Sequence, residues 1–142
     1  MIRPQFIGIG ILIVLIFSCG CGRRSGNTPV LVPVSGVVTL DGGPLPKASI
    51  VFHSTMGGSS NSSVGRTNEK GEYSLIFSQR NIGAAPGSYL VEIRTREEVV
   101  DKDGNLVSDT PERLPVRYHD HSTLNVTVNT DNPIINFDLK SK

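Results

Sequence analysis

From Val30 onward the apolar positions recur at every second residue, without the three-and-four spacing of a helix. In "VSGVVTL", Val34, Gly36, Val38 and Leu40 share one face, and Asp41-Gly42-Gly43-Pro44 ends the run with residues suited to a turn. "KASIVFH" sets Ala48, Ile50 and Phe52 on one side and Ser49, Val51 and His53 on the other. Met56 to Gly65, "MGGSSNSSVG", is too small and polar to bury surface and reads as a loop. "GRTNEKGEYSLIF" predicts a hairpin: Thr67 ends a short strand, Asn68 to Gly71 turns, and Tyr73, Leu75 and Phe77 restart an inward face. After the Pro86-Gly87 turn, Tyr89, Val91 and Ile93 point inward, while Leu90, Glu92 and Arg94 point outward. Asp103-Gly104 separates two short extended runs, which predicts an inserted hairpin or long loop over residues 97 to 115. Leu124, Val126 and Val128, then a Thr130 to Pro133 turn, then Ile135, Phe137 and Leu139 give two last inward faces, expected to close the sheet.

Six or seven strands with one apolar face each, divided by Gly and Pro turns, predict an all-β fold: a single antiparallel β-sandwich over residues 31–140. Each large inward side chain contributes roughly 1.5–3 kcal/mol on full burial, before conformational entropy is subtracted.

Upstream the pattern changes character. Arg3 precedes the uncharged run Phe6 to Phe17, "FIGIGILIVLIF", and small residues Ser18, Gly20 and Gly22 follow around two cysteines. Basic residue, apolar run and small-residue boundary are the order of a secretory signal, assigned to residues 1–18, with 19–30 as a flexible linker. Extended to Gly22, the uncharged segment just reaches the roughly 17 residues a spanning helix needs, so a retained single-pass anchor is the alternative. Arg3 on one side and Arg23 and Arg24 on the other leave its orientation unspecified by charge.

Cys19 and Cys21 are the only cysteines. A disulfide between residues two apart closes a ring too short for relaxed geometry, and two thiols are too few for a metal centre. The segment resembles the bacterial lipobox, in which a lipidated cysteine becomes the mature N-terminus. Cys19 has Ile16 and Ser18 at −3 and −1; Cys21, the alternative, has a good −1 in Gly20 and a poor −3 in Ser18. The resemblance implies an acyl anchor in the membrane, and several chains on one cysteine hold firmly at about 0.8 kcal/mol per buried methylene. If Cys19 is the lipidated residue, Gly20 in place of an Asp at the next position is compatible with outer-membrane sorting, the location expected over the inner membrane.

"VSGVVTLDGGPLPKASIVFH", "GRTNEKGEYSLIF", "GAAPGSYLVEI" and "RLPVRYHDHSTLNVTV", in that order, resemble the carboxypeptidase regulatory-like domain. The resemblance spans about residues 31 to 140. It implies a transthyretin-like, immunoglobulin-like sandwich in a small bacterial lipoprotein, with Tyr118 in a structural role, its ring buried and its hydroxyl bonded. In carboxypeptidases such a domain accompanies the peptidase and is not itself catalytic, so no peptidase activity is implied.

The formal net charge of +1, with no Trp and 19% charged residues, provides no basic field for nucleic acid. "RYHDHS" brings His119, Asp120 and His121 together, but the histidines share a face only in an extended chain, and an exposed loop is the expectation. "DKDGNLVSDTPE" sets Asp101, Asp103, Asn105, Asp109 and Glu112 at calcium-loop positions. Leu106 stands where that loop needs Gly, and no helical pattern flanks it, so solvated turn residues are expected. The first strand has no lysine for an isopeptide cross-link, and neither Ser nor Lys lies in a nucleophile motif. These readings lead to a non-catalytic envelope protein without cofactor or metal, serving binding, adhesion or scaffolding through a protein or glycan partner. The alternative is a ligand- or glycan-binding accessory module for a separate enzyme.

Overall fold

The structure, a computed structural model, describes residues 30–56 and 62–142. The signal-segment boundary, Cys19 and Cys21 lie outside the described residues. The strands are β1 (Ser35–Leu40), β2 (Gly43–Pro44), β3 (Ser49–Ser54), β4 (Ser62–Arg66), β5 (Glu72–Ser74), β6 (Ile76–Ser78), β7 (Asn81–Ile82), β8 (Gly87–Arg94), β9 (Glu97–Val100), β10 (Leu106–Thr110), β11 (Leu124–Val128) and β12 (Phe137–Leu139). One 3₁₀ turn, Val116–Tyr118, precedes β11.

Two sheets form a β-sandwich. The larger has the order β11-β8-β3-β4-β6-β7, and its β11-β8-β3-β4 part is antiparallel in unbroken register. In the smaller, β1 is central, with β12 on one side and β2 and β5 on the other. β9 and β10 pair only with each other and form a separate arm.

The alternation read from the sequence places the core. Val34, Val38, Ala48, Ile50, Phe52, Tyr73, Leu75, Tyr89, Val91 and Ile93 are all buried. Phe52 of the large sheet meets Phe137 of the small one edge-on at 6.2 Å, with Tyr89 and Tyr73 flanking the pair, so aromatic contacts tie the layers together. The Asp41-Gly42 turn takes positive φ at both residues, 52° and 86°, the geometry that matches the twist of a two-residue hairpin between β1 and β2.

Four expectations are corrected. β1 and β12 run parallel, Val38 opposite Phe137 and Leu40 opposite Leu139, so the sandwich is not wholly antiparallel. β11 and β12 do not close one sheet together: β11 edges the large sheet and β12 the small one. The segment from Tyr73 to Phe77 is two strands, because the chain changes sheets at Leu75, whose N–H donates to Val34 O while its carbonyl accepts from Gly83 N. Phe77, beyond that corner, is therefore only half-buried. The polar loop after Met56 is shorter than its composition suggests, since Ser62 already begins β4 against His53.

Gly36 is a point of close approach in the small sheet. A Cβ there would sit 1.8 Å from Ile135 O, so only glycine lets β1 lie against the segment leading into β12. Asn136 completes that join, its side-chain oxygen accepting from Val37 N at 2.9 Å.

Candidate functional site

The His-Asp-His segment folds as a turn. Tyr118 N donates to Pro115 O, and His119 N and His121 N both donate to Val116 O, so the chain is coiled where a shared face would need it extended. The histidines part company. His121 is exposed, and His119 is 8% exposed, correcting the expectation of an open loop. His119 Nδ1 lies 3.0 Å from Asp120 Oδ2, and Nε2 lies 3.2 Å from Leu114 O. Both ring nitrogens thus face acceptor oxygens of the fold itself, and the tautomer decides which of them donates.

Asp120 extends the contact to the large sheet. Its other oxygen accepts from Arg94 at 2.7 Å, and the Arg94 hydrogen bond, followed by that of His119, holds its carboxyl below the usual range. Arg94 also reaches Glu92 at 3.5 Å, and Glu92 lies 3.6 Å from His53 Nε2. These residues pin the turn to the outer face of β8. Tyr118 faces the other way, its ring buried and its hydroxyl accepting from Lys140 N at 3.0 Å. Arg117 lies over that ring at 4.9 Å and donates to the carbonyls of Lys140 and Lys142.

The acidic stretch from Asp101 to Glu112 divides between the two ends of the arm. At the tip, Asp101 Oδ1 accepts from the backbone N–H of Asp103 and Asn105, an Asx-type turn without an inward-facing oxygen cage. Asp109 pairs with Arg96 at 3.4 Å. Glu112 lies at the base, where Oε1 accepts from the Thr95 hydroxyl at 2.6 Å and from Thr95, Arg113 and Leu114 N–H, while Oε2 accepts from Arg96 N. Burial pushes the Glu112 carboxyl up, but the Thr95 hydroxyl and the backbone donors pull harder, and it settles at about 2. Among the described residues, no group of three or more His, Cys, Asp or Glu is placed to hold a metal ion.

Glu112 is the structural residue that sequence reasoning missed in its actual role. Its partners are mostly backbone N–H groups, which leave no trace in residue types; only Thr95, polar on an inward face after Val91 and Ile93, was a visible signal.

One open groove, of about 400 Å³, lies on the outer side of the small sheet. Ser35, Val37, Glu72, Ser74, Ile134 and Asn136 line it, a mixed polar surface with one acid and no exposed aromatic. Such a surface can offer hydrogen bonds to a partner.

No helix among the described residues is long and apolar enough to cross a membrane. No family model matches the chain, and no curated protein matches it. Among solved structures, a 9R-lipoxygenase from Cyanothece aligns at 13% identity with a TM-score of 0.40, over 78% of this chain and 16% of the lipoxygenase. A likeness at that level adds nothing to what the strands themselves establish.

Proposed function

We propose that the chain is a lipid-anchored, non-catalytic protein of the bacterial cell envelope, whose single sandwich, of the carboxypeptidase regulatory-like kind, serves binding, adhesion or scaffolding. The observation that carries the reading is the succession of Arg3, the apolar run Phe6 to Phe17, and Ser18-Cys19, followed within a short linker by one self-contained β-sandwich. The engaged state of His119 and the division of the acidic stretch support a non-catalytic role, because both candidate chemical groups are used within the fold. Facing the periplasm or cell surface, more naturally from the outer membrane, the domain would present its sheet faces and arm to a protein or glycan partner.

Intact mass spectrometry of the membrane-extracted protein tests this. The expected mass is that of a chain beginning at Cys19 and carrying two or three acyl chains, lost in Cys19→Ala and retained in Cys21→Ala. The reverse pattern moves the boundary to Cys21. An unmodified chain with its first eighteen residues still attached would falsify the lipoprotein reading.

A further inference from the structure

The outer face of the large sheet carries an apolar row. Val51 lies opposite Val64, Val64 opposite Ile76, and Ile76 opposite Ile82, so four β-branched side chains stand side by side across β3, β4, β6 and β7. The row spans about 14 Å, three strand spacings of roughly 4.8 Å. Its members become more exposed toward the sheet edge: Val51 is half-buried, Val64 and Ile76 are 48% and 47% exposed, and Ile82 is 67% exposed. Edge strands of soluble domains are usually blunted by charge or proline, and this one ends on an isoleucine.

The chain enters the domain at that edge. Val32 exchanges backbone hydrogen bonds with Ala84, two residues after Ile82, and Val30, two residues before Val32 in the chain, is 80% exposed. The 29 residues before Val30 include the apolar run Phe6 to Phe17 and the Arg23-Arg24 pair. Charge follows the same direction. No Asp or Glu occurs before Asp41, and none between Glu72 and Glu92; the first acid along the row is Glu92, beyond Val51. Arg80, exposed in the turn between β6 and β7, lies next to Ile82's strand. The arm also exposes valines and a leucine, but its tip, Asp101-Lys102-Asp103, carries one more acid than base, which disfavours contact with anionic headgroups.

We propose that the β4-β6-β7 face, led by Ile82 and Ile76 and flanked by Arg80, rests on the lipid surface to which the N-terminal segment is anchored. This deepens the lipid-anchor reading and rests on it. Docking fixes the domain's orientation: the β6-β7 edge lies against the headgroups, and the small-sheet groove is left open to partners.

The chain contains no tryptophan, so one introduced indole is a specific reporter. Full-length Ile82→Trp and Leu106→Trp chains, both at exposed positions, are reconstituted into phosphatidylethanolamine and phosphatidylglycerol vesicles with and without brominated phospholipid. Circular dichroism confirms that each variant folds. The indole at 82 is expected to shift to the blue and to lose about half its emission to the brominated lipid, as shallow burial at the acyl boundary requires. The indole at 106 is expected to do neither. Equal behaviour at both positions would overturn the docking, and so would a blue shift at 82 without lipid quenching, the mark of a second copy or of the chain's own N-terminal segment. Vesicle flotation and intact mass report the anchor separately. A chain that floats with acyl mass but is not quenched at 82 removes the docking alone; a chain that neither floats nor carries acyl mass removes both.

Discussion

Replacing Glu112 with Gln should loosen the arm where it joins the sandwich, and should do so in a pH-dependent way. The substitution keeps the shape of the side chain but turns one end into an N–H donor facing the N–H groups of Thr95 and Arg96. The carboxyl titrates at about 2 in the folded chain against 4.5 ordinarily. At 1.36 kcal/mol per pH unit that gap would amount to about 3 kcal/mol in a sealed site. Glu112 is partly exposed to solvent, and screening brings the expected contribution to about 1–2 kcal/mol. Because its folded value is the lower one, the unfolded chain takes up the proton first as pH falls. The stabilisation is therefore complete above about pH 4.5 and is lost as pH falls toward 2. Urea unfolding followed by circular dichroism at neutral pH should find Glu112→Gln weaker by about 1–2 kcal/mol. The gap to the parent should close as the two are compared at successively lower pH. A gap that persists unchanged in acid would mean that packing is responsible, and no gap at neutral pH would mean that the convergent donors contribute nothing.

Two further substitutions probe the core. Gly36→Ala puts a methyl 1.8 Å from Ile135 O, so β1 and the approach to β12 must separate, at an expected cost of about 3 kcal/mol or more; a thermal midpoint within a few degrees of the parent would show the approach to be looser than described. Ser63 is fully buried opposite Phe52, and its hydroxyl has no hydrogen-bond partner among the described residues. Ser63→Ala is accordingly expected to raise stability by about 1 kcal/mol in urea titration, and a loss would reveal a partner for the hydroxyl.

What the sequence made legible was the inside of each layer. Tyr89, Val91 and Ile93 face the core because alternation along a strand is a local property, imposed by the pleat. Strand direction and partnership are not local, and nothing in the residues of β12 announces that it lies parallel to β1 while β11 joins the other sheet. The corner at Leu75 was hidden for the same reason: both sheets accept its buried side chain, so the alternation runs on through the change of sheet. Among the candidate sites, the arm was marked by Asp103-Gly104, with Gly104 at φ 85°. The engagement of His119 depended on a 3₁₀ turn too short to leave a period.

The parallel seating of β12 beside β1 sets an order on how the fold can be made. Val37 and Asn136 bond across 99 residues, and a chain that emerges N-terminus first presents β1 long before its neighbour exists. β3, β4 and β8 can pair as soon as Arg94 is out, with β11 to follow, but the small sheet stays open on one flank until Leu139 arrives. The small sheet is therefore completed only by its last strand, β12, after every strand of the large sheet is already available.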